Sequence, residues 1–170
     1  MNTLRAFSIL FLVLLACSPQ KKEDEQQFLL ADEKALFRRV NMGEGPEKVR
    51  ASEKAEPVLL SDTLMHFKDQ IKLDESEVNL DIYYTFDEFG LFEIQADYFV
   101  RDPFRDSLFK KINTQLTAAY GKPSKRFESY RWTTPSASNT LIEISLSKER
   151  DLEDIPFISL NYLEPLNEEL

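Results

Sequence analysis

The chain has one cysteine, one histidine, one tryptophan and four glycines in 170 residues. A single thiol forbids an intrachain disulfide, so no multi-bridge scaffold supports the fold. One Cys and one His cannot supply the four side chains of a structural zinc site. Four glycines leave no glycine-rich loop to cradle a phosphate, and no Gly-x-Ser-x-Gly elbow presents an activated serine. No cofactor or metal is implied. Positive charge is short too: 21 Lys and Arg stand against 30 Asp and Glu, for a net charge of −9. An acidic domain repels a polyanion, so no nucleic acid is expected as a partner. Long apolar runs are also lacking. The best one, Ala6 to Ala16, is about half the ~20 residues of a membrane-spanning helix. What remains, 42% hydrophobic and 12% aromatic, is the composition of a folded domain rather than a disordered chain.

The N-terminus reads as an address. Met1 to Arg5 is a short basic region, and Ala6 to Ala16 has the length of a signal-peptide core. It ends in Leu14-Leu15-Ala16-Cys17. A small residue followed directly by Cys resembles the lipobox of bacterial lipoproteins. The resemblance implies that 1–16 is a signal peptide cut before Cys17, that the Cys17 thiol is diacylated, and that the new amine is usually acylated. The only Cys in the chain stands where that chemistry would act. Acyl chains bind a bilayer at ~0.8 kcal/mol per buried CH₂, so the membrane is the first expected partner. Residues 17–27 then form the lipidated Cys and a flexible linker, because Ser18 to Gln27 is polar apart from Pro19. No Asp follows Cys17, which in these families favours the outer membrane over inner-membrane retention. Gln20-Lys21-Lys22-Glu23-Asp24 resembles a surface-export tag and reads equally as a polar spacer. The periplasmic and external faces both stay open, as does the oligomeric state.

Residues 28–163 are long enough for a core of their own and are expected to form one domain. Residues 164–170 read as a frayed acidic tail. Phe28 to Val40 looks helical, with Leu29, Leu36, Phe37 and Val40 on one face. Pro46 opens a second short helix to about Lys54, with Glu47 in its first turn. From Leu64 the period changes to two, and Thr63 to Leu73 is a strand candidate. In Glu77 to Phe86, Val78, Leu80, Ile82, Tyr84 and Phe86 fall on one face; Asn79, Asp81, Tyr83 and Thr85 fall on the other. Asp87 to Gly90 is a turn. Leu91 to Val100 returns with Phe92, Ile94, Ala96, Tyr98 and Val100 inward, making an antiparallel hairpin with one wet face. Asp102 as N-cap and Pro103 at the first helical position open a helix 103–120, ended by Gly121 and Pro123. Three strands follow: Lys125 to Thr133, Thr140 to Ser147 and Pro156 to Leu163.

Coarsely the order is α, α, βββ, α, βββ, with a pseudo-repeat of 46–100 and 103–163. The expected fold class is α+β, with helices packed on one face of an antiparallel sheet in two helix-plus-three-strand-meander units. Three short patterns carry a further resemblance: Gly43 through Glu47-Lys48-Val49, Tyr84-Thr85-Phe86, and Tyr120-Gly121-Lys122-Pro123. Together they resemble small outer-membrane lipoproteins of the SmpA/BamE type and the related tandem β-lactamase-inhibitor-like fold. That resemblance implies adaptor or partner-binding roles without catalysis.

Side chains for chemistry are scarce. His66 is the only imidazole, and on an alternating strand it reads as a cross-strand residue. Asp81 and Asp97 fall on the wet faces of neighbouring strands, with Glu77 and Glu93 nearby. Two acids with separated pKa values would suit glycosidase-type chemistry. Acids on a wet face also keep a sheet soluble and guard its edges. Tyr83 and Phe99 interrupt that face, and Arg131 falls on the same side in the second half. Exposed aromatics and Arg are typical hot spots. Tyr83, Phe99, Arg131, Asp81 and Asp97 are therefore the candidate partner-binding face, and no residue is assigned a catalytic role. The expected function is a lipid-anchored, outer-membrane-associated adaptor for an envelope protein. The alternative, suggested by the high aromatic content (11 of the 13 phenylalanines follow the expected signal peptide), is a carrier of a small lipophilic ligand between helix 103–120 and the sheet.

Overall fold

The computed structural model describes residues 35–73, 76–136 and 139–165. The leader, Cys17, the linker, residues 28–34 and the tail beyond 165 lie outside them. The strands are β1 (Glu56–Leu60), β2 (Leu64–Leu73), β3 (Ser76–Asp87), β4 (Gly90–Phe99), β5 (Ser124–Arg126), β6 (Ser129–Pro135), β7 (Leu141–Arg150) and β8 (Pro156–Leu163). All eight form one antiparallel sheet in the order β1-β2-β3-β4-β8-β7-β6-β5. Each half of the chain meanders from an outer edge inward, and β4 meets β8 at the centre.

This corrects the expected fold class. The sequence reading called for an α+β fold with helices layered over two three-strand units. The molecule is dominated by a single eight-stranded sheet, and its helices among the described residues are α1 (Pro46–Ser52) and α2 (Phe104–Tyr120). Three local causes explain the difference. β1 is exposed along its whole length, so it carries no apolar alternation to reveal it. The stretch Lys125 to Thr133 is split into β5 and β6 by a reversal at Phe127, which adopts φ 53° without glycine or asparagine to announce a turn. Residues 35–40 are not helical. Arg38 and Arg39 take φ 45° and 72°, outside helical space. Phe37 and Val40 then exchange backbone hydrogen bonds of 3.1 and 2.7 Å across a tight turn. The turn satisfies the apolar pattern differently: it drops both Phe37 and Val40 into the core.

One face of the sheet carries that core. Leu80, Ile82, Tyr84, Ile94, Tyr98 and Tyr162 are fully buried there. α2 covers it with Leu108, Phe109, Ile112 and Leu116. α1, with the expected Pro at its start and Glu47 in its first turn, adds Val49. Both helices belong to this one cluster. Trp132 is in it too and donates its indole N–H to the Gly121 carbonyl at 2.9 Å. Asp102 does not cap α2. Pro103 is the N-cap residue, and the Asp102 carboxylate pairs with Arg105 at 3.2 Å and Arg150 at 3.7 Å. A bulge at Thr85/Phe86 pairs Phe86 with Leu91. Leu91 is therefore the buried residue where alternation had placed Phe92. Gly90 cannot be replaced cheaply: its φ is +117°, and a Cβ there would lie 2.5 Å from the Gly43 carbonyl oxygen.

One ionic network is set into this layer. The Glu53 carboxylate is only 1% exposed. It accepts from the Tyr84 hydroxyl at 2.7 Å and from the backbone N–H groups of Lys54 and Ala55. Arg38 reaches it at 3.4 Å and also hydrogen-bonds Asp69. Burial, with the nearby Glu53 charge, pushes the Tyr84 phenol well above its usual range.

The sheet ends in two unlike edges. β1 contains Pro57, which has no N–H to donate, and its register shifts between Pro57 and Leu59. β5 is three residues long and exposes Lys125 and Arg126. Among the described residues no helix is long and apolar enough to cross a membrane.

Candidate functional site

The opposite face of the sheet carries no helix among the described residues, since both bury into the core side. Register places its side chains in cross-strand rows. One row runs His66, Tyr83, Gln95, Asn161, Ser145, Arg131. The next runs Lys68, Asp81, Asp97, Ser159, Ser147, and a third runs Gln70, Asn79, Phe99, Phe157, Glu149. Strand alternation alone puts these residues on one side.

Within the rows the contacts are specific. The His66 and Tyr83 rings stack at 4.4 Å, 13° from parallel. His66 Nε2 lies 3.4 Å from the Asp81 carboxylate, and Lys68 Nζ lies 3.9 Å from it. The Tyr83 hydroxyl is held above its ordinary pKa by burial and by the charges of Asp81 and Asp97. Phe99 and Phe157 pack at 5.3 Å. Asp97 is 7% exposed and accepts from Gln95 Nε2 at 2.8 Å and Ser159 Oγ at 2.7 Å. Glu93 accepts from Asn161 Nδ2 at 2.8 Å and Thr85 Oγ1 at 3.2 Å. The second donor strand is β8 in both cases, so these acids fasten the two halves of the sheet at the β4–β8 seam. Beside them a groove of about 670 Å³ is lined by Glu56, Lys68, Gln70, Asn79, Asp81 and Phe99, among others.

The structure brings four of the five candidate residues together. Tyr83, Asp81, Asp97 and Phe99 are neighbours on β3 and β4. Arg131 shares the face and the row of Tyr83, but four strand spacings separate them, roughly 19 Å; it pairs with Glu143 at 3.1 Å. His66, Gln95, Phe157, Ser159 and Asn161 were not among the candidates. The outward parity of Phe157, Ser159 and Asn161 was implicit once Ile158, Leu160 and Tyr162 were read as core. Their adjacency to β4 is a property of topology and had no local signal.

Among the described residues Ser159, Asp97 and His66 do not form a serine–histidine–acid arrangement. Ser159 donates to Asp97, while His66 lies three strand spacings away, roughly 14 Å. Among the described residues no three His, Cys, Asp or Glu side chains gather to hold a metal ion. What this face presents is aromatic planes, carboxylates and amides at fixed register positions.

Asp97 gives this face a pH signature. Burial raises its pKa, against the lowering by its hydrogen bonds to Ser159 and Gln95, with the Asp81 and Glu149 charges adding to the rise. A native pKa above the unfolded value of about 3.9 means the folded state holds the proton more tightly. Stability is then lost as pH rises from about 4 through the raised native value. In Asp97→Asn that loss should vanish. Urea midpoints measured across this window should converge for the two proteins at its acid end and favour the variant at its neutral end. Parallel curves would refute the assignment.

Comparison with protein-family models, with curated proteins and with solved structures found no match.

Proposed function

We propose that this chain is a lipid-anchored protein of the outer membrane, tethered through Cys17, that binds an envelope protein on its open sheet face without catalysis. The observation that carries the reading is that face. It is left without a helix among the described residues, yet it holds the His66–Tyr83 stack and the Phe99–Phe157 pair beside a groove. Aromatic anchors within a polar surround are the anatomy of interface hot spots. The rigid sheet beneath means little is lost in ordering them on binding. The lipobox resemblance and the polar linker support the tether.

Crosslinking in intact cells tests the reading. A photo-crosslinker at Tyr83 or Phe99 should capture one dominant protein, and the same group at Thr114, exposed on α2, should not. With the crosslinker moved to Gln70, exposed in the row of Phe99, replacing both aromatics with alanine should reduce capture at least tenfold, since two hot spots of about 1–2 kcal/mol each are removed. Equal capture from Thr114 would overturn the proposal, as would turnover of a substrate by the purified domain that Asp81→Asn abolishes.

A further inference from the structure

The β5 end of the sheet departs from the rest of the chain in charge. In a protein with 30 acids and a net charge of −9, residues 112–127 contain no Asp or Glu, and the end of that stretch carries Lys122, Lys125 and Arg126. Lys125 stands opposite Tyr130 and Arg126 opposite Ser129, so alternation sends the two cations to opposite sides of the edge strand. Their contacts are with rings: Lys125 Nζ lies 5.4 Å from the centre of Tyr130, and the Arg126 guanidinium 6.0 Å from that of Phe127. A ring attracts a cation without neutralising it. Among the described residues no carboxylate pairs with Lys122, Lys125 or Arg126. Glu143 on β7 is engaged by Arg131, and Glu128 is the one acid of the β5–β6 hairpin.

Phe127 stands at the reversal of that hairpin and is 87% exposed. Its φ of 53° holds a bulky side chain in left-handed space, where Gly or Asn would sit at less cost. Neither burial nor backbone preference accounts for a phenylalanine there. An exposed ring between cations suits a bilayer interface, where aromatic side chains enter the headgroup boundary and Lys and Arg meet lipid phosphates.

We infer that the β5–β6 hairpin docks on an anionic phospholipid surface, with Phe127 entering the headgroup layer and Lys122, Lys125 and Arg126 against the phosphates. Charge complementarity carries the inference. The domain as a whole is repelled by an anionic surface, and this hairpin is where the sign reverses. A tether at Cys17 is long enough to permit the contact. Phe37 packs on Tyr162 of β8, three strand positions from β5 or roughly 14 Å, and the stretch from Cys17 to Ala35 spans up to ~60 Å. The inference rests neither on that tether nor on the open-face reading, because the hairpin meets lipid with no acyl chain present.

Sedimentation with vesicles tests it, using the mature chain as Cys17→Ser so that no acyl chain contributes. The protein should sediment with vesicles of phosphatidylcholine and phosphatidylglycerol, and not with phosphatidylcholine alone. Every residue substituted below is exposed, so the variants should fold. Lys125→Ala/Arg126→Ala should weaken binding roughly 25-fold, about fivefold for each cation near an anionic surface. Glu128→Gln should strengthen it. Arg50→Ala/Lys54→Ala removes two cations beside the opposite edge of the sheet and should change binding less than about twofold, since charges so far from the contact are screened. Phe127→Trp should shift its emission to the blue on the mixed vesicles, against the constant signal of buried Trp132. No sedimentation with the mixed vesicles overturns the inference, and equal sedimentation with phosphatidylcholine alone overturns the role of charge. Binding unchanged in Lys125→Ala/Arg126→Ala, or weakened as much in Arg50→Ala/Lys54→Ala, overturns the location. An unshifted emission overturns the entry of Phe127.

Discussion

Arg38→Met is expected to lower the unfolding free energy by about 3 kcal/mol. The value rests on Glu53, whose carboxylate is 1% exposed with Arg38 as its cationic partner. Removing one member of a buried ion pair typically costs about 3–5 kcal/mol, because the charge left behind has lost its counter-charge without regaining water. The lower end applies because Glu53 keeps three donors: the Tyr84 hydroxyl and the N–H groups of Lys54 and Ala55. Asp69, the second partner of Arg38, is 26% exposed, so water can take over there. For a domain of this size the loss corresponds to a fall in melting temperature of roughly 6–12 °C. Methionine preserves the length and apolar stem of arginine, so packing contributes little. The double variant Arg38→Met/Glu53→Gln should recover a large part of the loss, since the stranded charge is gone. A double variant as unstable as the sum of the singles would show that the network acts through packing, not charge.

Cys17→Ser should have the largest effect on location. Each buried CH₂ contributes ~0.8 kcal/mol to membrane affinity, and one acyl chain alone anchors only marginally. Two or three chains on one residue make release negligible, so the wild type should fractionate with the outer membrane and incorporate labelled fatty acid. The serine variant should take up no label and leave the outer-membrane fraction. An unlabelled wild type would end the lipoprotein reading whatever its fractionation.

Legibility in the sequence followed the strength of local periodicity. The hairpin of β3 and β4 was read within a residue or two, because Val78 to Phe86 alternates cleanly and Asp87–Gly90 is a turn with glycine where φ is positive. α2 was equally plain from Leu108, Ile112 and Leu116. β1 was not read, since an edge strand exposed on both faces has no pattern to show. The reversal at Phe127 and the turn at Arg38–Arg39 were invisible, because both put non-glycine residues at positive φ. Of the candidate face, Asp81, Tyr83, Asp97 and Phe99 followed from parity within one hairpin. Phe157 and Ser159 did not, because no local rule says that β8 closes on β4. The fold class failed on those same local points: β1 and the Phe127 reversal add strands, the Arg38–Arg39 turn removes a helix, and the sheet outweighs the helices.

The unlike edges of that sheet have a consequence for how the protein behaves when crowded. A row of unpaired backbone groups is a template, and a neighbour that adds one strand creates the template for the next. Here growth stalls at both ends. Pro57 withholds a hydrogen at one, where the shifted register also spoils the spacing; three residues bearing Lys125 and Arg126 offer too short and too charged a seed at the other. A population of such molecules at high local density is expected not to polymerise through its sheet edges, and each molecule then keeps its edges to itself.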